Sequence, residues 1–235
     1  LAFAQPKDDS GLAANAELVE TRTEVPKLKA PAPYAMKDGV VEIELSEYAG
    51  YAGLIVANNG LEPNDDSIFA RKHGFKLKLT ISEEESWSAL NSGQMAASAT
   101  TADVLAVYGR QLDVKVPALI GFSRGADGIV VRSDIKKINN LKGKVVATCQ
   151  FTEADFLLRY LAQEAGMSVN MLPDLSARSD PDKVNVVYCA DAFGAGDLFL
   201  RDLKAGRNRL AGCVTWAPKT TEVAEASGGK AHVLV

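Results

Sequence analysis

The feature that most limits the fold of this chain is an alternation of short apolar, β-branched runs with helical stretches that end on glycine. Val40, Val41, Ile43 and Leu45 form a strand that stops at Ser46-Glu47-Tyr48-Ala49-Gly50-Tyr51. A helix through Leu54, Ile55 and Val56 and a second over residues 66–73, closed by Gly74, lead to an alternating strand over residues 75–81. Ser82 reads as the N-cap of a helix with Glu83, Glu84 and Glu85 in its first turn and Trp87 and Leu90 on its inner face. Residues 95–99 form a short strand, Thr100-Thr101 caps a helix over residues 102–110, and residues 116–122 read as another strand. Strand and helix taking turns in this way predict a parallel α/β sheet.

The alternation breaks once. After Ser123-Arg124-Gly125-Ala126-Asp127-Gly128 the chain enters Ile129-Val130-Val131 with no helix between, which marks a crossing into a second lobe. The rhythm then restarts. A strand over residues 145–149 leads through Phe151-Thr152 into a helix ending near Gly166. A strand over residues 184–189 leads through Ala190-Asp191-Ala192-Phe193 into a helix stopped by Gly206. A strand over residues 210–216, a helix over residues 220–226 and a final strand over residues 232–235 follow.

Composition narrows the function classes. Of 235 residues, 47% are hydrophobic and 24% charged, so an ordinary globular core is within reach. A net charge of −4 argues against a general nucleic-acid binder. No apolar run approaches the roughly 18 residues that cross a bilayer. Two histidines and three dispersed cysteines (Cys149, Cys189 and Cys213) supply no metal cluster or Cys-x-x-Cys pair, so no metal or cofactor is expected. The cysteines read as small residues at strand ends, with a Cys189–Cys213 disulfide as the alternative. At the start, Ala2-Phe3-Ala4 has the small-x-small form left by a trimmed secretory signal. Residues 1–37, with Pro6, Pro26, Pro31 and Pro33, read as a polar surface arm or linker.

Gly121-Phe122-Ser123-Arg124-Gly125 matches the Gly-x-Ser-x-Gly of a hydrolase nucleophile elbow, which requires a strand before the serine and a helix directly after it. The segment after it is strand-like, and only His232 follows as a base, so serine hydrolysis stands as the enzyme alternative. Lys142-Gly143-Lys144 and Gly194-Ala195-Gly196 are partial matches to phosphate and dinucleotide loops, without the required spacing. A different set of residues falls where α/β sheets bind ligands, beyond strand carboxyl ends beside helix N-termini. It comprises Tyr48, Tyr51, Thr100, Thr101, Ser123, Asp127, Phe151, Thr152, Asp191 and Trp216. Hydroxyls and amides suit an oxyanion, acids an amine, and aromatic faces an apolar body. Each residue also has a plain structural reading as a cap, turn or core residue.

Several of these segments carry a family likeness: Tyr48-Ala49-Gly50-Tyr51, Ala89-Leu90-Asn91-Ser92-Gly93-Gln94, residues 123–130, residues 141–146, Phe156-Leu157-Leu158 and Val214-Thr215-Trp216-Ala217-Pro218. Together they resemble the substrate-binding proteins of ABC importers of the nitrate/taurine/alkanesulfonate type, which share the type II periplasmic-binding fold. The resemblance implies two α/β lobes of mostly parallel sheets flanked by helices: residues 38–122 with 217–235 returning to them, and residues 123–216. It implies a monomeric, non-enzymatic, exported or periplasmic protein. Such a protein clamps a small polar molecule or oxyanion between its lobes and hands it to a membrane permease, with the ten residues above as contacts. A ligand-sensing module outside transport is the third reading. Two departures stand out. Ala217 occupies a position where many relatives have an acid before the proline. Relatives also extend past the equivalent of Val235 to complete the first lobe, so either the chain is truncated or that lobe is lean.

Overall fold

The computed structural model describes residues 18–46, 48–82 and 86–235. The Ala2-Phe3-Ala4 segment and the Glu83–Glu85 run lie outside the described residues. The chain divides into two compact units, residues 24–122 and residues 123–235 joined by residues 18–23.

In residues 24–122, β1 (Val40–Leu45) leads through a 3-10 turn at Ala49–Tyr51 into α1 (Ala52–Asn58) and then α2 (Ile68–His73). Ser67 caps α2 by accepting from the Ala70 amide at 3.0 Å, and Gly74 closes it in the left-handed conformation at φ 74°. Next come β2 (Lys76–Ile81), α3 (Trp87–Asn91), β3 (Ala97–Ser98) and α4 (Ala102–Tyr108). The three strands form a parallel sheet in the order β2-β1-β3. Leu45, Leu77 and Leu79 are buried against Leu54, Ile55 and Phe69. A second cluster joins Trp87, Val104 and Tyr108 to Val25 and Leu28. Buried Asn91 fastens that extended segment to the unit, donating to the carbonyls of Lys29 (2.8 Å) and Gln111 (2.9 Å).

One expectation for this unit is corrected. Residues 116–122 form no strand. Pro117 lacks an amide to donate, no neighbouring strand pairs with the run, and Val116, Leu119, Ile120 and Phe122 are all exposed. The expected Ser82 cap faces residues outside those described, and among the described residues α3 begins at Trp87 with Ser86 before it.

Residues 123–235 build a six-stranded sheet in the order β6-β7-β5-β8-β4-β9. Its strands are β4 (Asp127–Arg132), β5 (Val145–Cys149), β6 (Val169–Met171), β7 (Val184–Cys189), β8 (Gly212–Trp216) and β9 (Ala231–Val233). All pair in parallel except β4, which runs antiparallel to β8 and β9. Helices α5 (Glu153–Glu164), α6 (Ala192–Lys204) and α7 (Lys219–Ala226) flank the sheet. Strand residues alternate between two buried layers. Ile129, Val131, Val146 and Val186 meet Ala154, Leu158 and Ala162 of α5, while Val130, Ala147 and Val187 meet Leu198, Phe199 and Leu203 of α6 and Val223 of α7.

The expected return of residues 217–235 to the first lobe is also corrected. Val130 pairs with Val233 and Arg132 with Ala231, and Val223 is buried in the layer with α6. Gly196 makes the close approach of α7 possible, since a Cβ there would sit 2.7 Å from Cγ of Lys219. Gly194-Ala195-Gly196 is therefore a helix-packing surface and not a dinucleotide loop. Residues 18–23 lie along this unit: Val19 donates its amide to the Tyr188 carbonyl (2.8 Å) and Thr21 its hydroxyl to the Leu172 carbonyl (2.8 Å).

The three cysteines form no disulfide. Burial pushes the Cys189 thiol up to about 12 and raises that of Cys213 further. At pH 8 a thiol reagent such as Ellman's is expected to modify only half-buried Cys149 in the native protein, and all three thiols after denaturation. Gly212 abuts the Val130 carbonyl, which an added Cβ would approach to 2.5 Å. Gly212→Ala is expected to cost about 1–3 kcal/mol by urea denaturation.

Candidate functional site

In the six-stranded sheet, register sets which loops become neighbours. Cys149 aligns with Cys189 and Ala147 with Cys213, so the chain leaving β7, β5 and β8 emerges along one edge. Because β4 is antiparallel, its first residue reaches the same edge, where Asp127 aligns with Trp216. This carboxyl edge therefore brings together Ser123, Asp127, Phe151, Thr152, Asp191 and Trp216. The N-termini of α5 and α6 begin there too.

Each side chain has a definite role in this row. The Ser123 hydroxyl donates to the Asp127 carboxylate in a short contact. Asp191 caps α6, accepting the Gly194 amide at 2.7 Å through Oδ1. Thr152 is buried and its hydroxyl donates to the Cys149 carbonyl at 2.9 Å, so its side chain braces the turn. Phe151 adopts φ 65°, a conformation that non-glycine residues rarely enter. The Trp216 ring meets Phe193 with centroids 5.5 Å apart and planes inclined at 50°. Lys219 lies 5.6 Å from the centre of the Phe193 ring, its charge answered by Asp197 (3.2 Å) and Glu222 (2.9 Å).

A buried network lies directly behind. Asp155 accepts from Nε of Arg159 at 2.9 Å and from the Tyr188 hydroxyl at 3.2 Å, and Arg159 also donates to that hydroxyl at 2.7 Å. The Phe151 amide bonds to the same carboxylate, so Asp155 fixes the strained turn that presents Phe151. Burial raises the Asp155 pKa above its ordinary value, while Arg159 and the hydrogen bonds pull it back.

The other four candidates belong to residues 24–122 and sit at the carboxyl edge of the three-stranded sheet. Tyr48 and Tyr51 follow β1, their rings edge-to-face at 5.2 Å. The Tyr48 ring covers Gly50 so closely that a Cβ there would overlap it. Thr100 and Thr101 follow β3, and Thr101 precedes α4 without a side-chain capping bond. Buried Glu44 of β1 accepts the Ser98 hydroxyl at 3.1 Å beside them.

The hydrolase geometry does not form. Ser123 follows an irregular segment and is followed by β4 instead of a helix, and its hydroxyl is committed to Asp127. The sequence places Phe193 beside Asp191 at a strand end, but the sequence reading missed the Asp155–Arg159–Tyr188 network as a contributor. The spacing of Asp155 and Arg159, one helical turn apart, is the signal that points to it. Among the described residues no cluster of three or more His, Cys, Asp or Glu side chains is arranged to hold a metal.

A carboxylate whose pKa is higher folded than unfolded makes stability fall as pH rises from the unfolded value to the folded one, and level off beyond. Wild type compared with Asp155→Asn is expected to show that falling component from about pH 3.8 upward in urea midpoints, and the variant to lack it. Tyr188→Phe is expected to lose about 1–2 kcal/mol by the same measurement, since it strips a partner from both Asp155 and Arg159.

No family model and no curated protein matches this chain. Solved structures do. The alkanesulfonate-binding protein SsuA from Xanthomonas axonopodis pv. citri, bound to MOPS, matches with a TM-score of 0.53 at 18% identity, over 86% of this chain and 62% of its own. The periplasmic aliphatic sulphonate binding protein SsuA from Escherichia coli matches with a TM-score of 0.54 at 18% identity, over 86% of this chain and 60% of its own. XAC2383 from Xanthomonas citri bound to ATP matches with a TM-score of 0.53 at 12% identity, over 84% of this chain and 72% of its own. The chain thus spans about three fifths of the length of the two sulfonate-binding proteins. Its fold is that of the type II periplasmic-binding proteins.

Proposed function

We propose that this protein is a solute-binding component of an ABC importer. It captures a small organic molecule with an anionic head of the sulfonate or taurine type and delivers it to a membrane permease. The observation that carries the reading is the carboxyl edge of the six-stranded sheet, where a paired Trp216 and Phe193 stand beside Asp127 and two helix N-termini. Aromatic faces take the carbon body, the amides at the start of α5 and α6 attract the anionic head, and Asp127 draws an ammonium group where the solute carries one. The same fold serves sulfonate binding in the two SsuA proteins, which supports that ligand class here. Ser123, Asp127, Phe151, Thr152, Asp191 and Trp216 are the contacts assigned to this unit. Tyr48, Tyr51, Thr100 and Thr101 are those assigned to the other.

Binding alone is required, and the side chains are arranged for binding. The Ser123 hydroxyl is taken up by its hydrogen bond to Asp127, which holds that carboxylate in place. The proposal includes export to the periplasm as a monomer. None of the helices among the described residues is long and apolar enough to cross a membrane.

Isothermal titration calorimetry with taurine, ethanesulfonate and nitrate tests the reading. At least one sulfonate is expected to bind saturably and to raise the melting temperature, as any ligand selective for the folded state must. Trp216→Ala and Asp127→Ala are each expected to weaken the taurine affinity about tenfold or more. A set of ligands that leaves the melting temperature unmoved overturns the proposed class.

A further inference from the structure

The opposite, amino-terminal edge of the six-stranded sheet holds a feature that solute capture does not use. A cavity of about 370 Å³ opens there between the end of β4 and the starts of β5 and β8. Arg132, Lys144 and Arg209 line it, with Asp134, Ser179 and Asn208. Three cations face one acid, which is itself mostly exposed. The five-residue β5 separates this edge from the carboxyl edge by roughly 16 Å.

Two of the cations are held from behind. Asp202 is 1% exposed and accepts both Nε of Arg209 (3.0 Å) and the Leu210 amide (2.9 Å). With Nε anchored, the two Nη atoms of Arg209 meet no hydrogen-bond acceptor among the described residues. Arg132 is gripped from two sides, by Asn208 in a short contact and by Asp134 at 3.6 Å from Nε. Asn208 itself occupies the left-handed region at φ 57°, in the turn that carries Arg209. The Lys144 ammonium and the Ser179 hydroxyl have no hydrogen-bond or ion-pair partner among the described residues. An arginine fixed at Nε loses little side-chain freedom on binding and presents a planar fork suited to two oxygens of a phosphate.

We propose that this cavity is a second binding site, for a small molecule bearing a phosphate or diphosphate group. The volume is larger than a single ion needs and falls within the range of small-molecule sites. The Arg209 fork takes two phosphate oxygens, Arg132 neutralises a second charge, and Lys144 and Ser179 close over the group from the β5 side. The site is independent of the solute reading, because it shares no residue with the carboxyl edge.

Pyrophosphate is the probe, titrated by calorimetry and followed by amide NMR shifts at low ionic strength. The expected result is saturable one-site binding, with shifts confined to residues 132–135, 143–145, 179 and 208–211. Lys144→Ala, a change at an exposed side chain, is expected to weaken binding about tenfold. Arg209→Lys keeps the positive charge over Asp202 but loses the fork, and is expected to weaken binding by a similar factor. The proposal is overturned if no saturable binding appears up to about 10 mM, a limit that corresponds to very weak affinity. It is equally overturned if the shifts fall at residues 127, 151–152, 191–193 and 216, or if both variants bind as wild type does.

Discussion

The row of loop tips at the carboxyl edge of the six-stranded sheet depends on β5 lying in parallel register between β7 and β8. Five consecutive residue pairs join β5 to β7, from Val145 and Asn185 to Cys149 and Cys189. Because side chains alternate and strands run the same way, that register decides both which layer each valine enters and which loops surface together. A slip of one residue would turn Val146 out of the layer it shares with α5 and separate Phe151 from Asp191. The register is secured from both sides of the sheet by fully buried residues, including Leu158 and Phe199, so the row of loop tips inherits the rigidity of the core.

The same arrangement explains the chemistry present and the chemistry missing. Parallel strands followed by helices place helix N-termini at one edge, where backbone amides offer partial positive charge. The side chains among them include aromatic and acidic ones, and the Ser123 and Thr152 hydroxyls are already engaged. Thr152 braces its own turn, Asp191 caps α6 and Ser123 steadies Asp127. Such an arrangement suits the proposed capture of a solute. At the other edge the charge is reversed, with arginines supported by a buried carboxylate, so one sheet presents two chemically distinct faces.

Much of this was legible in the residues. The runs at 145–149 and 184–189 are β-branched and bounded by turn residues, and β5 and β7 occupy those spans. Gly74 is read correctly as a helix stop because only a left-handed residue fits there. The failures share one cause: tertiary partners are invisible in local pattern. Residues 116–122 have strand composition but no strand to pair with. Residues 217–235 have no local mark of which unit they join, and it is the pairing of Val233 with Val130 that assigns them. Periodicity places all ten candidate residues at strand ends, yet it cannot say that the Thr152 hydroxyl turns inward or that Phe193 meets Trp216. The helix-turn spacing of Asp155 and Arg159 was readable, whereas the third partner, Tyr188, lies on a distant strand.

The most direct measurement is a crystal structure of the protein soaked with taurine or ethanesulfonate. The account predicts density for the solute against the rings of Trp216 and Phe193, with its sulfonate toward the first amides of α5 or α6. A solute seated on any other surface, with those rings untouched, would contradict it.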